Sequence, residues 1–231
     1  MIRVIVVGDQ DLLCSGVQRL LQDSEDLNAL ATCPEADAVG AVRRHRPDVV
    51  VLSSDDQRPP AGTLSTITEL RALPEPPEVA VLTGTADGRF VTESLAAGAA
   101  GFLLRDIAPE DLANAVRLVA SGSSVLARPA SRAVVSGLGT ARLPEDARER
   151  AAALTDRERE VLALLVEGLS NAEIGRRLLL SPATVKDHIS AIYLKLGTAN
   201  RVRTAVFAQR TGAARQPERA QPEGARPATA A

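Results

Sequence analysis

The sequence predicts an α/β domain with a five-stranded parallel sheet, followed by a small all-α domain. Over residues 1–121, five short apolar runs alternate with segments whose apolar residues recur at helical spacing. Runs such as Val49–Leu52 are apolar at every position, which is typical of parallel strands covered by helices on both faces. Residues 154–210, by contrast, contain only helical patterns with capping signals at their starts.

The elements of the first domain alternate strictly, and several helix ends coincide with Pro or Gly. Pro47 and Pro74 follow two predicted helices, Gly98 follows another, and Pro109 opens the last, where its missing N–H costs nothing. The predicted strands span residues 2–7, 27–32, 48–52, 79–83 and 100–104. The predicted helices span residues 12–21, 36–44, 64–73, 90–97 and 109–121.

The rest of the chain divides into a linker, a second domain and a tail. Residues 122–153 mix Gly, Ser and Pro with one short helical patch near 131–136, which predicts a partly helical linker. The helical patterns of residues 154–210 predict the second domain. Residues 211–231 contain no apolar side chain larger than that of alanine or proline, and they predict a disordered tail.

Length and composition favour a globular protein of two domains. The chain has 231 residues, of which 45% are hydrophobic and 24% charged. No apolar run reaches the roughly 18 residues of a membrane helix, and the N-terminus lacks a signal-peptide pattern. Cys14 and Cys33 cannot form a disulfide framework, and no Cys/His cluster indicates zinc. We therefore expect a cytoplasmic protein without a metal site, a cofactor or a membrane segment.

Charge is distributed unevenly along the chain. Residues 1–120 carry 10 basic and 18 acidic side chains, whereas residues 154–210 carry 9 basic and 6 acidic ones. An acidic domain joined to a basic one favours different partners for the two halves, and the basic half suits a polyanion.

Ligands of parallel α/β sheets bind beyond the carboxyl ends of the strands. The residues at those ends are Gly8, Asp9, Ser53, Ser54, Thr83, Gly84 and Arg105. The segments VIVVGDQDLLCSGVQRLL, RPDVVVLSS, VAVLTGTAD and AAGAAGFLLRD, which contain these ends, resemble a response-regulator receiver domain. The resemblance covers residues 1–121 and implies a flavodoxin-like fold with strand order 2-1-3-4-5.

The chain departs from the receiver pattern at three positions. In the family, an acidic pair follows strand one, a phosphoacceptor Asp ends strand three, a Ser or Thr ends strand four and a Lys follows strand five. Here Gly8 replaces the first acid and Asp9 keeps the second, Ser53 stands at the acceptor position, and Arg105 replaces the lysine; Thr83 fits. Mg²⁺-dependent phosphotransfer needs carboxylate ligands, and a serine without a base is a poor nucleophile. We therefore expect no standard phosphorylation at Ser53.

Other interpretations of this pocket stay open. Asp55 or Asp56 could be a displaced acceptor, although Asp55 lies about 6–7 Å beyond the strand end in an extended chain, and an exposed acidic loop is favoured. Asp9 and Arg105 suit either a structural ion pair or a site for a small anionic or polar ligand. The second interpretation matches the atypical, phosphorylation-independent regulators of actinobacteria that this pattern resembles. Phe102 stands at the family's aromatic switch position, although core packing is also typical of such a residue.

Residues 154–197 carry the most specific pattern in the chain. Thr155 with Glu158, and Ser170 with Glu173, form two capping boxes. A third helix begins at Ser181 and carries polar and basic residues in its early turns. Two helices joined by a tight turn are typical of the helix-turn-helix, whose second helix enters the major groove of DNA.

The motifs LTxRExEVL, GLSNxEI, LxLSxxTVKxHI and KLG occur here in order, and they closely resemble the DNA-binding domain of the NarL/LuxR family. The resemblance implies binding to an operator in double-stranded DNA by a homodimer. It implies DNA contacts from Lys186, Asp187 and Ser190, although the acidic Asp187 suits a base only as an acceptor from cytosine N4. His188 suits a phosphate contact or a role inside the domain. The remaining candidates for the DNA interface are Ser181, Thr184, Val185, Lys195 and Arg201.

These features predict a sequence-specific, DNA-binding transcriptional regulator without enzymatic activity. Its receiver-like domain lacks the acceptor aspartate and is open to control by a small molecule. The alternative is a ligand-sensing or protein-docking module in which DNA binding is secondary, which the low positive charge and Asp187 leave open. A steep dependence of DNA affinity on salt would separate the two, because phosphate contacts release counterions. For dimerisation, the family suggests the last helix of the DNA-binding domain or the region 87–121.

Overall fold

The computed structural model describes residues 1–54, 61–85, 87–128, 130–132 and 143–214. Its first part is a parallel sheet whose strands are β1 (Ile2–Val7), β2 (Leu27–Cys33), β3 (Val49–Ser53), β4 (Glu78–Thr83), β5 (Gly101–Leu104) and β6 (Val125–Leu126). The strand order is β2-β1-β3-β4-β5-β6, and every neighbouring pair is parallel. The predicted fold class is confirmed, and so is the predicted order of the first five strands.

The sixth strand corrects the prediction of five. Val125–Leu126 falls in the segment assigned to the linker, and it pairs with β5 through hydrogen bonds from Val125 N to Ala100 O at 3.2 Å and from Ala127 N to Phe102 O at 2.9 Å. Ala130, a few residues further on, is fully buried in the core beneath the sheet. A two-residue strand carries too little periodicity to be detected in a sequence.

Helices cover both faces of the sheet. They are α1 (Asp11–Gln22), α2 (Ala38–His45), α3 (Ala61–Arg71), α4 (Gly88–Ala97) and α5 (Pro109–Ala120). Val4 and Val6 of β1 pack in the same core as α1 and α5, whereas Ile5 and Val7 pack with α2, α3 and α4. Successive side chains of a strand point to opposite faces, so a strand that is covered twice must be apolar throughout.

The second domain is a bundle of five helices within the part of the chain that the structure describes. They are α6 (Ala147–Ala152), α7 (Asp156–Val166), α8 (Asn171–Leu178), α9 (Pro182–Leu196) and α10 (Arg201–Thr211). α6 lies in the segment predicted as linker, yet its Ala147 is buried in the core that α7, α8 and α9 share. None of the helices described in either domain combines the length and apolarity needed to cross a bilayer.

Both capping boxes predicted from the sequence are present. The Thr155 side chain accepts a hydrogen bond from Glu158 N at the start of α7, and Ser170 accepts one from Glu173 N at the start of α8. In each box the glutamate carboxylate accepts a hydrogen bond from the backbone N–H of the cap residue. These bonds satisfy N–H groups that have no partner within the helix.

Glu158 has a second role, because its buried carboxylate also pairs with the ammonium group of Lys195. Lys195 Nζ lies 2.7 Å from Glu158 Oε2, and this contact joins the start of α7 to the end of α9. Burial alone would raise the pKa of the Glu158 carboxyl. The hydrogen bonds from Lys195 and Thr155 outweigh that effect and hold the pKa below its usual value.

We expect Glu158→Gln to destabilise the protein by about 2 kcal/mol at pH 7, because glutamine keeps the capping box but removes the charge-assisted bond to Lys195. A carboxyl group with a lowered pKa stabilises the fold above its unfolded pKa and loses that effect as the pH falls through its folded pKa. The difference between variant and wild type should therefore narrow below about pH 4. Urea unfolding followed by circular dichroism measures both effects.

The matched control is Glu173→Gln, which changes the same residue type in the other capping box, where no described lysine pairs with the glutamate. It should cost less stability than Glu158→Gln. Equal losses in the two variants would show that the contact with Lys195 adds nothing to stability.

Candidate receiver pocket and DNA-recognition helix

The carboxyl edge of the sheet brings the predicted pocket residues together. Ser53 and Thr83 are the last residues of β3 and β4, and Gly8 and Arg105 directly follow β1 and β5. Ser53 is only 4% exposed, and its Oγ has no hydrogen-bond partner among the described residues. The hydroxyl at the predicted acceptor position is therefore shielded from solvent, and no described residue accepts a hydrogen bond from it.

The space next to Ser53 is filled by packing. A Cβ atom added to Gly8 would lie 2.9 Å from Ser53 Cβ and 3.0 Å from Cys14 Sγ, which is closer than carbon and sulfur atoms normally approach. Burial, followed by the nearby carboxylates of Asp11 and Asp9, raises the pKa of the Cys14 thiol, so it stays protonated and packs as a small apolar group. An acidic side chain at position 8 would not fit without a shift of these neighbours.

Asp9 and Arg105 are anchored to different loops. Asp9 Oδ1 accepts a hydrogen bond from Glu35 N at 3.0 Å, which fixes the turn after β2. The Arg105 guanidinium donates to the carbonyl oxygen of Ser54, so it holds the residue that follows β3. Asp55 and Asp56, the alternative acceptors, lie outside the described residues.

Phe102, the candidate switch residue, is fully buried in β5. Its ring meets that of Phe90 from α4 edge to face, with centroids 5.7 Å apart. An edge-to-face pair of this kind stabilises core packing. In this conformation Phe102 is a core residue that connects β5 to α4.

The start of α9 has the geometry expected for a recognition helix. Ser181 is its N-cap and accepts a bond from Thr184 N at 3.1 Å, and the two hydroxyl groups lie 2.9 Å apart. Lys186, Asp187 and Ser190 are exposed on the helix that follows. His188 is half-buried.

Val185 is a correction to the predicted DNA interface. Its side chain is fully buried in the core of the helical bundle, on the same face of α9 as Ile189 and Ile192. It cannot reach DNA while the domain is folded, so its place in the motif reflects packing.

Lys195 and Arg201, both predicted to contact DNA, are bound to other parts of the protein in this conformation. Lys195 is engaged with Glu158, as described above. Arg201 is only 8% exposed, and its guanidinium donates to the carbonyl oxygens of Leu165, at 2.8 Å, and Leu169, beyond the end of α7. Its burial lowers the pKa of this guanidinium. The spacing of Arg201 with Thr204 and Ala208 is a sequence signal for this buried face of α10.

A feature absent from the sequence predictions is the contact between the two domains. Asn200 Nδ2 donates to Leu95 O at 2.6 Å and to Ala99 O at 2.8 Å, at the end of α4. Asn171 N donates to Ser121 O at 3.1 Å, and Arg201 Nη1 donates to Gly122 O at 3.3 Å, at the end of α5.

The same contact brings α9 against the receiver-like domain. A cavity of about 20 Å³ is lined on one side by Arg71 and Glu78, and on the other by Lys186, Ser190 and Tyr193. Burial, together with the Glu78 carboxylate, raises the pKa of Tyr193. The side of α9 that carries Lys186 and Ser190 is therefore turned towards the other domain.

Comparisons with known proteins agree with this architecture. The family model for the response regulator receiver domain matches residues 4–117, and the model for bacterial regulatory proteins of the luxR family matches residues 152–208. The chain is 34% identical to the DNA-binding transcriptional activator DevR/DosR of Mycobacterium tuberculosis, over 94% of this chain and 98% of that one. It is 33% identical to the transcriptional regulatory protein LnrK of Bacillus subtilis, over 92% and 98% of the two chains.

Among solved structures, the RcsB response regulator of Salmonella typhimurium superposes with a TM-score of 0.52 at 20% identity, covering 90% of this chain and all of that one, which is a likeness of fold. Both relatives match this chain over more than nine-tenths of its length and of their own. The chain therefore belongs to the response regulators with a LuxR-type DNA-binding domain, and it is a transcriptional regulator of that type rather than an enzyme.

Proposed function

We propose that this regulator binds promoter DNA as a homodimer and is controlled without aspartyl phosphate. Control without aspartyl phosphate is proposed because Gly8 packs against Ser53 and Cys14. A phosphoacceptor site needs an exposed nucleophile and carboxylates that hold Mg²⁺. Here a buried hydroxyl stands at the acceptor position, and the place of the first acid is occupied by neighbouring side chains.

DNA recognition is assigned to the face of α9 that carries Lys186, Asp187 and Ser190. The family resemblance implies DNA contacts from three residues of α9, of which Lys186 is the cation. Asp187 and Ser190 follow it on the same face of the helix. Ser181 and Thr184, at the N-terminus of the helix, suit phosphate oxygens, as does His188. Asp187 disfavours guanine, whose major-groove edge only accepts, and favours the amino group of cytosine.

Access to this face is proposed to depend on separation of the domains. A duplex in contact with Lys186 and Ser190 would need the space next to Arg71 and Glu78, where the receiver-like domain now lies. In place of phosphate, the signal is proposed to be a small anionic or polar molecule bound near Asp9 and Arg105. The guanidinium of Arg105 is the chemical basis for that choice, and its contact with Ser54 provides a link to the loop after β3.

The first test is a titration of the unmodified protein with its own upstream DNA, measured by fluorescence anisotropy, with and without Mg²⁺ and acetyl phosphate. We expect the same affinity in both conditions, because Ser53 is buried and no described residue accepts a hydrogen bond from its hydroxyl. Ser53→Ala should bind as the wild type does. Binding that requires the phosphodonor, in both proteins, would contradict the proposal and identify Asp55 or Asp56 as the residue to mutate.

The second test is Lys186→Ala. We expect affinity about tenfold weaker for all DNA sequences, and a plot of log affinity against log salt whose slope falls by about one, because one phosphate contact is lost. Arg19→Ala is the matched control: it removes the same charge from an exposed side chain on α1, far from α9 in the chain. Arg19→Ala should leave both quantities unchanged. An unchanged slope in Lys186→Ala would instead favour a docking module in which DNA binding is secondary.

A further inference from the structure

The carboxamide of Asn200 occupies an unusual position between the domains. The side chain is 2% exposed and is surrounded by three hydrogen-bonding groups. Its Oδ1 accepts from Arg203 N at 2.9 Å, which makes Asn200 the N-cap of α10. Its Nδ2 donates one proton to Leu95 O and the other to Ala99 O.

We propose that the carboxamide of Asn200 is required to hold the DNA-binding domain closed against the receiver-like domain. This inference rests on the proposed function, since it names the contact that must break before α9 can enter a DNA groove. The role is one of positioning: Asn200 acts on DNA binding through the placement of α9.

The orientation of the carboxamide follows from its neighbours. Carbonyl oxygens accept hydrogen bonds and backbone N–H groups donate them, so the amino group must face Leu95 and Ala99 while the oxygen faces Arg203. The capping function alone would be met by Ser, Thr or Asp. Among the short capping residues, only asparagine has two N–H donors in addition to the acceptor oxygen. The contact of Asn200 with Leu95 O and Ala99 O uses both donors.

The partner surface is the C-terminal end of α4, which is shaped for close approach. Gly98 ends that helix with φ of +117°, and an added Cβ would lie 2.7 Å from Arg71 Cγ and 3.4 Å from Ala199 O. The turn therefore brings the chain just before Asn200 into contact with the backbone of the receiver-like domain. Carbonyl groups near a helix C-terminus often lack intrahelical donors. Ala99 O, just beyond α4, accepts from Asn200, and Leu95 O accepts from Asn200 as well as from Gly98 N at 3.3 Å.

The contact is placed to control α9. Asn200 follows the last residue of α9 by four positions, and Thr198 N in between donates to Tyr193 O at 3.0 Å. Tyr193 lies one turn before the end of α9 and lines the cavity with Arg71 and Glu78. Fixing Asn200 on α4 thus fixes the end of α9 against the receiver-like domain.

A second contact joins the domains independently at the start of α8. There Asn171 N donates to Ser121 O, and Gly122 has φ of +80°. A Cβ atom added to Gly122 would lie 2.3 Å from Asn171 Nδ2, so a larger residue would strain this turn and displace the Asn171 side chain at the domain contact. This contact offers a second variant that leaves Asn200 unchanged.

The decisive variant is Asn200→Asp in the full-length protein. Aspartate keeps the cap, because a carboxylate oxygen accepts from Arg203 N. It removes both donors and sets a negative charge against the carbonyl oxygens of Leu95 and Ala99. We expect a larger radius of gyration by small-angle X-ray scattering and an unchanged helical signal by circular dichroism. Affinity for upstream DNA should be at least about tenfold higher, because a larger fraction of the molecules has α9 free to bind DNA. Gly122→Ala should change the radius and the affinity in the same direction.

The two readouts separate the two claims. A wild-type radius of gyration in Asn200→Asp, with helicity retained, would overturn the role of Asn200. A larger radius with unchanged, Lys186-dependent DNA binding would overturn its control of DNA access. A larger radius in a protein whose wild type and variant both fail to bind DNA would support the domain contact and contradict the proposed function. If Asn200→Asp loses helicity, Asn200→Ser, which keeps a capping acceptor and removes both donors without adding a charge, decides by the same criteria.

Discussion

Backbone carbonyl groups at helix ends need hydrogen-bond donors, and the arrangement of the two domains depends on how this need is met. The last carbonyls of α4, α5 and α7 lie close together at the domain junction. The Asn200 side chain donates hydrogen bonds to carbonyl oxygens at the end of α4. Its neighbour Arg201 donates to carbonyl oxygens at the end of α7 and in the turn after α5. Two adjacent residues thus fix the packing within the DNA-binding domain and the placement of that domain on the receiver-like one.

Local patterns in the sequence predicted most of the helices and strands, but not the contact between the two domains. Fully apolar strands predict a sheet covered on both faces, and Thr155 and Ser170 with their glutamates predict the helix starts, because these signals act within a few residues. The bond between Asn200 and Leu95 joins residues 105 positions apart. Nothing in the pattern around either residue encodes it. Likewise, a motif places Val185 and Arg201 in a DNA-binding domain, but only the packed helices show that both are turned inwards.

The sequence predicted which residues lie at the receiver pocket, but not how they pack against one another. Parallel strands that end at one edge bring Gly8, Ser53 and Arg105 together, which sequence reasoning anticipated. That Cys14 lies against Gly8 depends on how α1 sits on the sheet, which no local signal reports. Gly8 and Ser53 pack against one another, so a larger side chain at position 8 would crowd Ser53 and Cys14.

The short strand β6 has a consequence for how the receiver-like domain behaves when separated from the rest of the chain. Its two residues cover backbone groups of β5, which would otherwise form the outer margin of the sheet. A fragment that ended at residue 121 would leave these backbone N–H and C=O groups of β5 unpaired. Such an edge strand can pair with strands of other chains, which leads to aggregation. The packed core of the receiver-like domain therefore reaches beyond residue 121 and includes the buried side chain of Ala130.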